Sequence, residues 1–176
     1  MQISETASAI LLRKLPPKMK DPGSFNINIT MGEHKIDKAV LDLGASINVM
    51  PYSLYLELGL GELKPTSMTL ELADGSVKYP KGIIENLLVQ VEKFIVPVDF
   101  VVLDMEEGPT KDGEQSVLLG RPFMATTRTI IDVYAGKLTT TVLGETIKFN
   151  VFDVLSLPSF LSFDNCFYIK GLNLSL

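Results

Sequence analysis

Glycine and proline, 13 and 10 of them in 176 residues, cut this chain into segments too short for long helices. Most of the segments alternate apolar with polar residues. "SFNINIT" sets Phe25, Ile27 and Ile29 on one face against Asn26 and Asn28 on the other, the period-two pattern of a half-buried strand. "HKIDKAVLD" reads as a second strand ending at Asp42. In "SMTLELADGSVKYP" Met68, Leu70 and Leu72 alternate, and Asp74-Gly75 predicts the two-residue turn of a hairpin. Strands continue through "GIIENLLVQV", "FIVPVDFVVLD" and "SVLLG". "TIIDVYAGKLTTTVLGETIKFNVF" gives two or three closing strands, with turns at Ala135-Gly136 and Gly144-Glu145. Two stretches are helical instead. Pro51 suits a first helical position, Leu54 and Leu58 keep helical spacing, and Gly59 suits the stop. "RPFMATTR" is a second short helix with Pro122 near its start. The fold class is therefore mainly β, a barrel or a folded sheet with one or two short helices.

One domain accounts for residues 21–153. Residues 1–20, with Pro16 and Pro17 close to several lysines, read as a lead-in segment. The tail, 154–176, is apolar but broken by Pro158, Asp164 and Asn165, and its pattern fits an edge element or a disordered appendix equally well. "MEEGPTKDGEQ", 105–115, reads as an exposed loop.

Composition narrows the chemistry. His34 is the only histidine and Cys166 the only cysteine. Ser-His-Asp and Cys-His catalysis are thereby removed, an intramolecular disulfide is impossible, and no zinc ligand set is expected. Asp104, Glu106 and Glu107 lack the spacing of a calcium loop, so no metal is expected there. The net charge of -5 argues against binding nucleic acid through phosphates. No apolar run reaches the ~18 residues of a membrane span. The apolar patch Ala7–Leu12 has basic residues after it rather than before it. A soluble, intracellular, cytoplasmic protein with no membrane partner is expected.

Asp42 stands out, because the apolar run Ala39–Leu41 leads straight into it. A carboxylate at the end of a buried strand is costly to desolvate unless it is hydrogen-bonded, paired or partly protonated. It could also simply begin a turn. Gly44 offers a reason for the spacing: without a Cβ, the loop backbone can come close enough to donate to the carboxylate. Asp132, inside "TIIDVY", is the other aspartate of an apolar strand and is expected to pair with Arg121 or Arg128.

Asp42, Gly44 and Ala45 in "DLGASINVMPYSLYLELGLGELKPT", the hairpin in "LELADGSVKYPKGIIENLLVQVEKFIVPVDFVVLDMEE" and "LLGRPFMATTRTIIDV" follow one another in a specific order. Together they resemble the retropepsin-type aspartic proteases, and most closely those in polyproteins of plant Ty3/gypsy-like retrotransposons. The resemblance spans roughly residues 15–153. It implies one retropepsin-like lobe per chain and a homodimer in which Asp42 meets its twin. The expected activity is cleavage of peptide bonds in an extended polypeptide or polyprotein, with no cofactor. It implies an active-site loop of Leu43, Gly44, Ala45 and Ser46. Backbone groups around Ala45 and Ser46 would pair with the peptide. Leu72, Ala73, Asp74, Gly75 and Ser76 would close over it as a flap. Leu118, Leu119, Gly120 and Arg121 would support the loop, and Arg121 would brace either the dimer or the loop through an ion pair. The setting would be the cytoplasm or particles derived from the element. Leu43 occupies a position where such enzymes carry Ser or Thr, whose hydroxyl bonds across the dimer. The alternative implied by that departure is a dimerisation or peptide-binding module with weak or no catalysis.

Overall fold

β1 (Phe25–Met31) and β2 (His34–Leu41) form an antiparallel pair, with Phe25 opposite Leu41 and Met31 opposite His34. The alternation of β1 holds at its centre, where Ile27 and Ile29 are 2% and 1% exposed and Asn28 faces solvent, whereas Asn26, expected outward, is half-buried with its Oδ1 covered. β3 (Val49–Pro51) leads into α1 (Tyr52–Leu58), β4 (Leu70–Glu71) and β5 (Val77–Lys78). The long pair β6 (Gly82–Val91) and β7 (Phe94–Leu103) follows, then β8 (Leu118–Leu119) and α2 (Arg121–Thr126). β9 (Ile130–Asp132), β10 (Lys137–Val142) and β11 (Glu145–Asn150) end the described chain. This computed structural model describes residues 16–19, 21, 23–72, 75–104 and 116–150. The expected loop at 105–115, the tail at 154–176 and almost all of the lead-in segment lie outside the described residues.

Six strands close a barrel in the order β1-β2-β8-β3-β7-β6. Its interior is filled by Ile27, Ile29, Met31, Val89, Val96, Phe100, Leu119 and Phe123 among others. β9, β10 and β11 form a separate three-stranded sheet, joined to this core by Leu138, Ile131, Val142, Ile147 and Phe149. A second, smaller cluster joins Val49, Leu70, Val101 and Leu103, flanked by Ile47, Met68, Ile83 and Leu118.

The order of the barrel strands positions the site. β8 lies between β2 and β3, parallel to β2 and antiparallel to β3. The chain therefore leaves β2, crosses over the end of β8, and re-enters on its far side as β3. The crossing segment is Asp42–Asn48. β3 then runs parallel to β7, with Val49 opposite Val101.

Three local expectations shift. Pro51 ends β3 and caps α1 from outside rather than beginning it, whereas Gly59 stops the helix with φ +59 as expected. The last turn falls on Leu143-Gly144, with φ +51 and +86, because Val142 pairs with Glu145 and so draws Glu145 into β11. In the β4–β5 hairpin Leu72 N–H donates to Ser76 C=O at 2.8 Å, and Gly75 N–H donates to Leu72 C=O at 2.9 Å. Three residues, rather than two, separate Leu72 from Ser76. Gly75, at φ +81, takes the left-handed position that a three-residue hairpin loop requires.

Candidate active site

Asp42 follows the last residue of β2, and its backbone N–H extends the β2–β8 pairing by donating to Leu119 C=O at 3.0 Å. Its side chain is half-buried. Gly44 N–H donates to Asp42 Oδ1 at 2.7 Å, a charge-assisted hydrogen bond that fixes one carboxylate oxygen. Ala45 N–H donates to Asp42 C=O at 3.2 Å, which closes a turn around the aspartate. A Cβ at Gly44 would lie 3.1 Å from Asp42 Oδ1, so the close approach expected of this glycine is present.

The segment crosses β8 at Gly120. A Cβ at Gly120 would fall 2.2 Å from the Ile47 carbonyl oxygen and 2.8 Å from that of Ala45. Both are backbone atoms, so only glycine lets the Asp42 loop lie against the end of β8. Gly120 N–H donates to Asn48 Oδ1 at 2.8 Å, and Asn48 Nδ2 donates to Asp99 C=O at 3.0 Å. Val101 N–H donates to Asn48 C=O at 2.9 Å. Asn48, only 3% exposed, thus ties β8, β7 and the loop together. Asn48 carries no motif that marks it in the sequence. Its signal was a single polar residue between apolar Ile47 and Val49 at the entrance to a buried strand.

Leu118, Leu119, Gly120 and Arg121 do lie beneath the loop. Within a single chain, and among the described residues, Arg121 braces the loop without an ion pair; its Nη1 donates to the carbonyls of Leu43 at 3.1 Å and Gly44 at 3.3 Å. Asp132 pairs with neither arginine among the described residues; its Oδ1 accepts the Ala135 N–H at 2.9 Å and caps the β9–β10 turn.

The remaining loop residues divide. Ala45 is fully buried and both its backbone groups are engaged within the chain, its C=O by Arg121 N–H at 2.9 Å. Pairing of a peptide at Ala45 would have to use the second lone pair of that oxygen. Ser46 Oγ is buried with no partner among the described residues. Leu43, in contrast, is 62% exposed beside Asp42. Of the hairpin residues, Ala73 and Asp74 lie outside the described residues. Leu72, Gly75 and Ser76 form its described tip. Fully buried Leu70 anchors the hairpin base in the cluster that also holds Ile47, Val49 and Leu118. The hairpin and the Asp42 loop therefore share a foundation.

A single chain thus presents one half-exposed carboxylate, oriented by its own loop, next to an exposed apolar side chain. Such a group can accept a proton or hold a water. No cluster of metal ligands occurs among the described residues.

The profile of the aspartyl protease family matches residues 27–123, more than half of the chain, from β1 into α2. The match includes Asp42, the β4–β5 hairpin and Arg121. Among solved structures, the retroviral protease-like domain of Ddi1 from Leishmania major is 18% identical with a TM-score of 0.50, over 67% of this chain and 87% of that one. A retropepsin-like aspartic protease from Rickettsia conorii is 25% identical with a TM-score of 0.42, over 62% of this chain and 77% of its own. No curated protein matches the chain. The closed six-stranded barrel with two short helices is a retropepsin-like fold, as expected.

Proposed function

The chain belongs to the aspartyl protease family, and from that premise we propose that it is an endopeptidase acting as a homodimer, each copy supplying one Asp42. The observation that carries the proposal is the Asp42 carboxylate: one oxygen is held by Gly44 N–H at 2.7 Å, and the group is half-exposed at the rim of a retropepsin-like barrel. One carboxylate cannot be both acid and base in the same step. A second copy, related by a two-fold axis, supplies the other.

Two carboxyl groups in contact cannot both ionise easily, so the pair shares a proton. The ionised member takes a proton from a bridging water, and that water attacks the scissile carbonyl. The protonated member donates to the developing oxyanion. The tetrahedral carbon then collapses, the C–N bond breaks, and the leaving nitrogen takes a proton from the pair. The desolvation of Asp42 is offset in this arrangement by Gly44 N–H on one side and the shared proton on the other. The hairpin carrying Leu72–Ser76 closes over an extended peptide.

The setting proposed is processing of a polyprotein in the cytoplasm, by a catalytic domain covering residues 21–153. The run "DLGAS", "LADGS", "LLGRPF" and its likeness to plant Ty3/gypsy-like elements support this. A second reading rests on Leu43, which brings no hydroxyl to the subunit junction: a dimeric module that binds peptides without cutting them. Purified protein incubated at mildly acid pH with an unstructured polypeptide separates the two. Cleavage inhibited by pepstatin, and reduced on the order of a thousandfold or more in Asp42→Asn, is expected of the enzyme. Dimers that bind the polypeptide and leave it intact would favour the module.

A further inference from the structure

Arg121 holds the carbonyl oxygens of three successive loop residues. Its backbone N–H donates to Ala45 C=O at 2.9 Å, and its Nη1 donates to Leu43 C=O at 3.1 Å and Gly44 C=O at 3.3 Å. The first of the two side-chain contacts has a further consequence, because Leu43 C=O and Gly44 N–H belong to one peptide unit. At the other end of that unit, Gly44 N–H donates to Asp42 Oδ1 at 2.7 Å. Guanidinium, peptide and carboxylate thus form one line of two hydrogen bonds. A permanent positive charge sits at the carbonyl end and the carboxylate at the amide end. Charge at the carbonyl polarises the peptide and makes its N–H a stronger donor. The peptide cannot rotate without losing both bonds.

We infer that Arg121 is a positioning residue for Asp42: it orients and polarises the Leu43–Gly44 peptide, so that a single copy of the chain holds its carboxylate in one orientation before a second copy docks. The consequence for cleavage rests on the function proposed above; the effect on the peptide does not. Both side-chain contacts use one nitrogen, Nη1, so the ammonium of lysine can supply the charge and the donors, but on a flexible stem without the planar, delocalised group that fixes the direction of arginine's donors. Among the described residues, Asp42 and Arg121 are the charged groups hydrogen-bonded to this loop. Arg121 is exposed, so replacing it leaves no cavity in the barrel.

The test uses the full chain, labelled with nitrogen-15, as wild type, Arg121→Met and Arg121→Lys. In Arg121→Met the Gly44 amide proton moves upfield and exchanges with solvent about tenfold faster, the scale expected for a weakened charge-assisted bond. The Asp42 amide, bonded to Leu119, stays in place and reports that the barrel is intact. Arg121→Lys recovers part of the Gly44 shift. In peptide cleavage, kcat of Arg121→Met falls roughly tenfold with KM within about twofold, and lysine restores part of the loss. A Gly44 amide that does not move in folded Arg121→Met overturns the inference. So does a loss seen wholly in KM or in dimer dissociation while that amide is unchanged. If the wild type cleaves nothing, the proposed enzymatic function fails instead, and the Gly44 amide still decides the role of Arg121.

Discussion

The Asp42 loop and the β4–β5 hairpin stand on the same buried cluster, yet they are held very differently. From Asp42 to Asn48 nearly every turn of the backbone is hydrogen-bonded to something rigid: to Leu119, to Gly120 through Asn48, to Arg121, or back to Asp42. Ala45 and Asn48 are buried, and Gly120 leaves no room between loop and strand. The hairpin has two strands of two residues each, joined at Leu70–Lys78 and Glu71–Val77. Leu70 is its buried anchor, while Val77 is 52% exposed. A two-stranded ribbon of this size is marginal by itself. Few buried contacts mean a low free energy of local opening. The molecule is over-determined around the Asp42 carboxylate and sparsely tied at the hairpin that the proposed function would close over a peptide.

Substitutions on the two sides sharpen this contrast. The largest effect is expected for Gly120→Ala, whose new Cβ meets two backbone carbonyls, the nearer at 2.2 Å. It should cost about 3 kcal/mol of global stability, read as a lower urea midpoint, because neither carbonyl can move without disrupting the loop. Asn48→Ala comes next. It strips the Gly120 N–H and the Asp99 carbonyl of a shared buried partner, at a cost of about 2 kcal/mol. Faster exchange of the Gly120 amide should accompany the fall in midpoint. Gly75→Ala, on the hairpin side, forces a side chain into φ +81 at a cost of about 1 kcal/mol. Here the urea midpoint should fall by no more than that cost implies, well short of the fall for Gly120→Ala, while the Leu72 amide exchanges faster. A midpoint for Gly75→Ala as low as that for Gly120→Ala would mean that the hairpin is as tightly built as the loop, and the contrast would be wrong.

Much of the barrel was legible because its strands obey period two: Phe25–Met31 and Phe94–Leu103 bury alternate residues along most of their length. Asp42 and Gly44 were legible because a carboxylate after an apolar run needs a donor, and glycine admits one. Asn48 was not, since its work depends on β7 and β8 arriving from more than fifty residues away. Arg121 is expected to brace the loop or the dimer through an ion pair because a cation in a sequence suggests an acid; within one chain it takes backbone oxygens, which leave no mark in the pattern. The hairpin turn and the Leu143-Gly144 turn each missed by one residue. Register is set by the pairing of whole strands, which turn residues alone do not specify. The positions of β9–β11 against the barrel depend likewise on packing by Leu138 and Phe149, which a local pattern cannot show.

Mixing wild-type chain with Asp42→Asn at constant total concentration, above the dimer dissociation constant, tests the shared carboxylate pair most directly. If each cleft takes one aspartate from each of two copies, peptide cleavage should fall as the square of the wild-type fraction. A linear fall would show that each chain works alone, and the two-copy account would be contradicted.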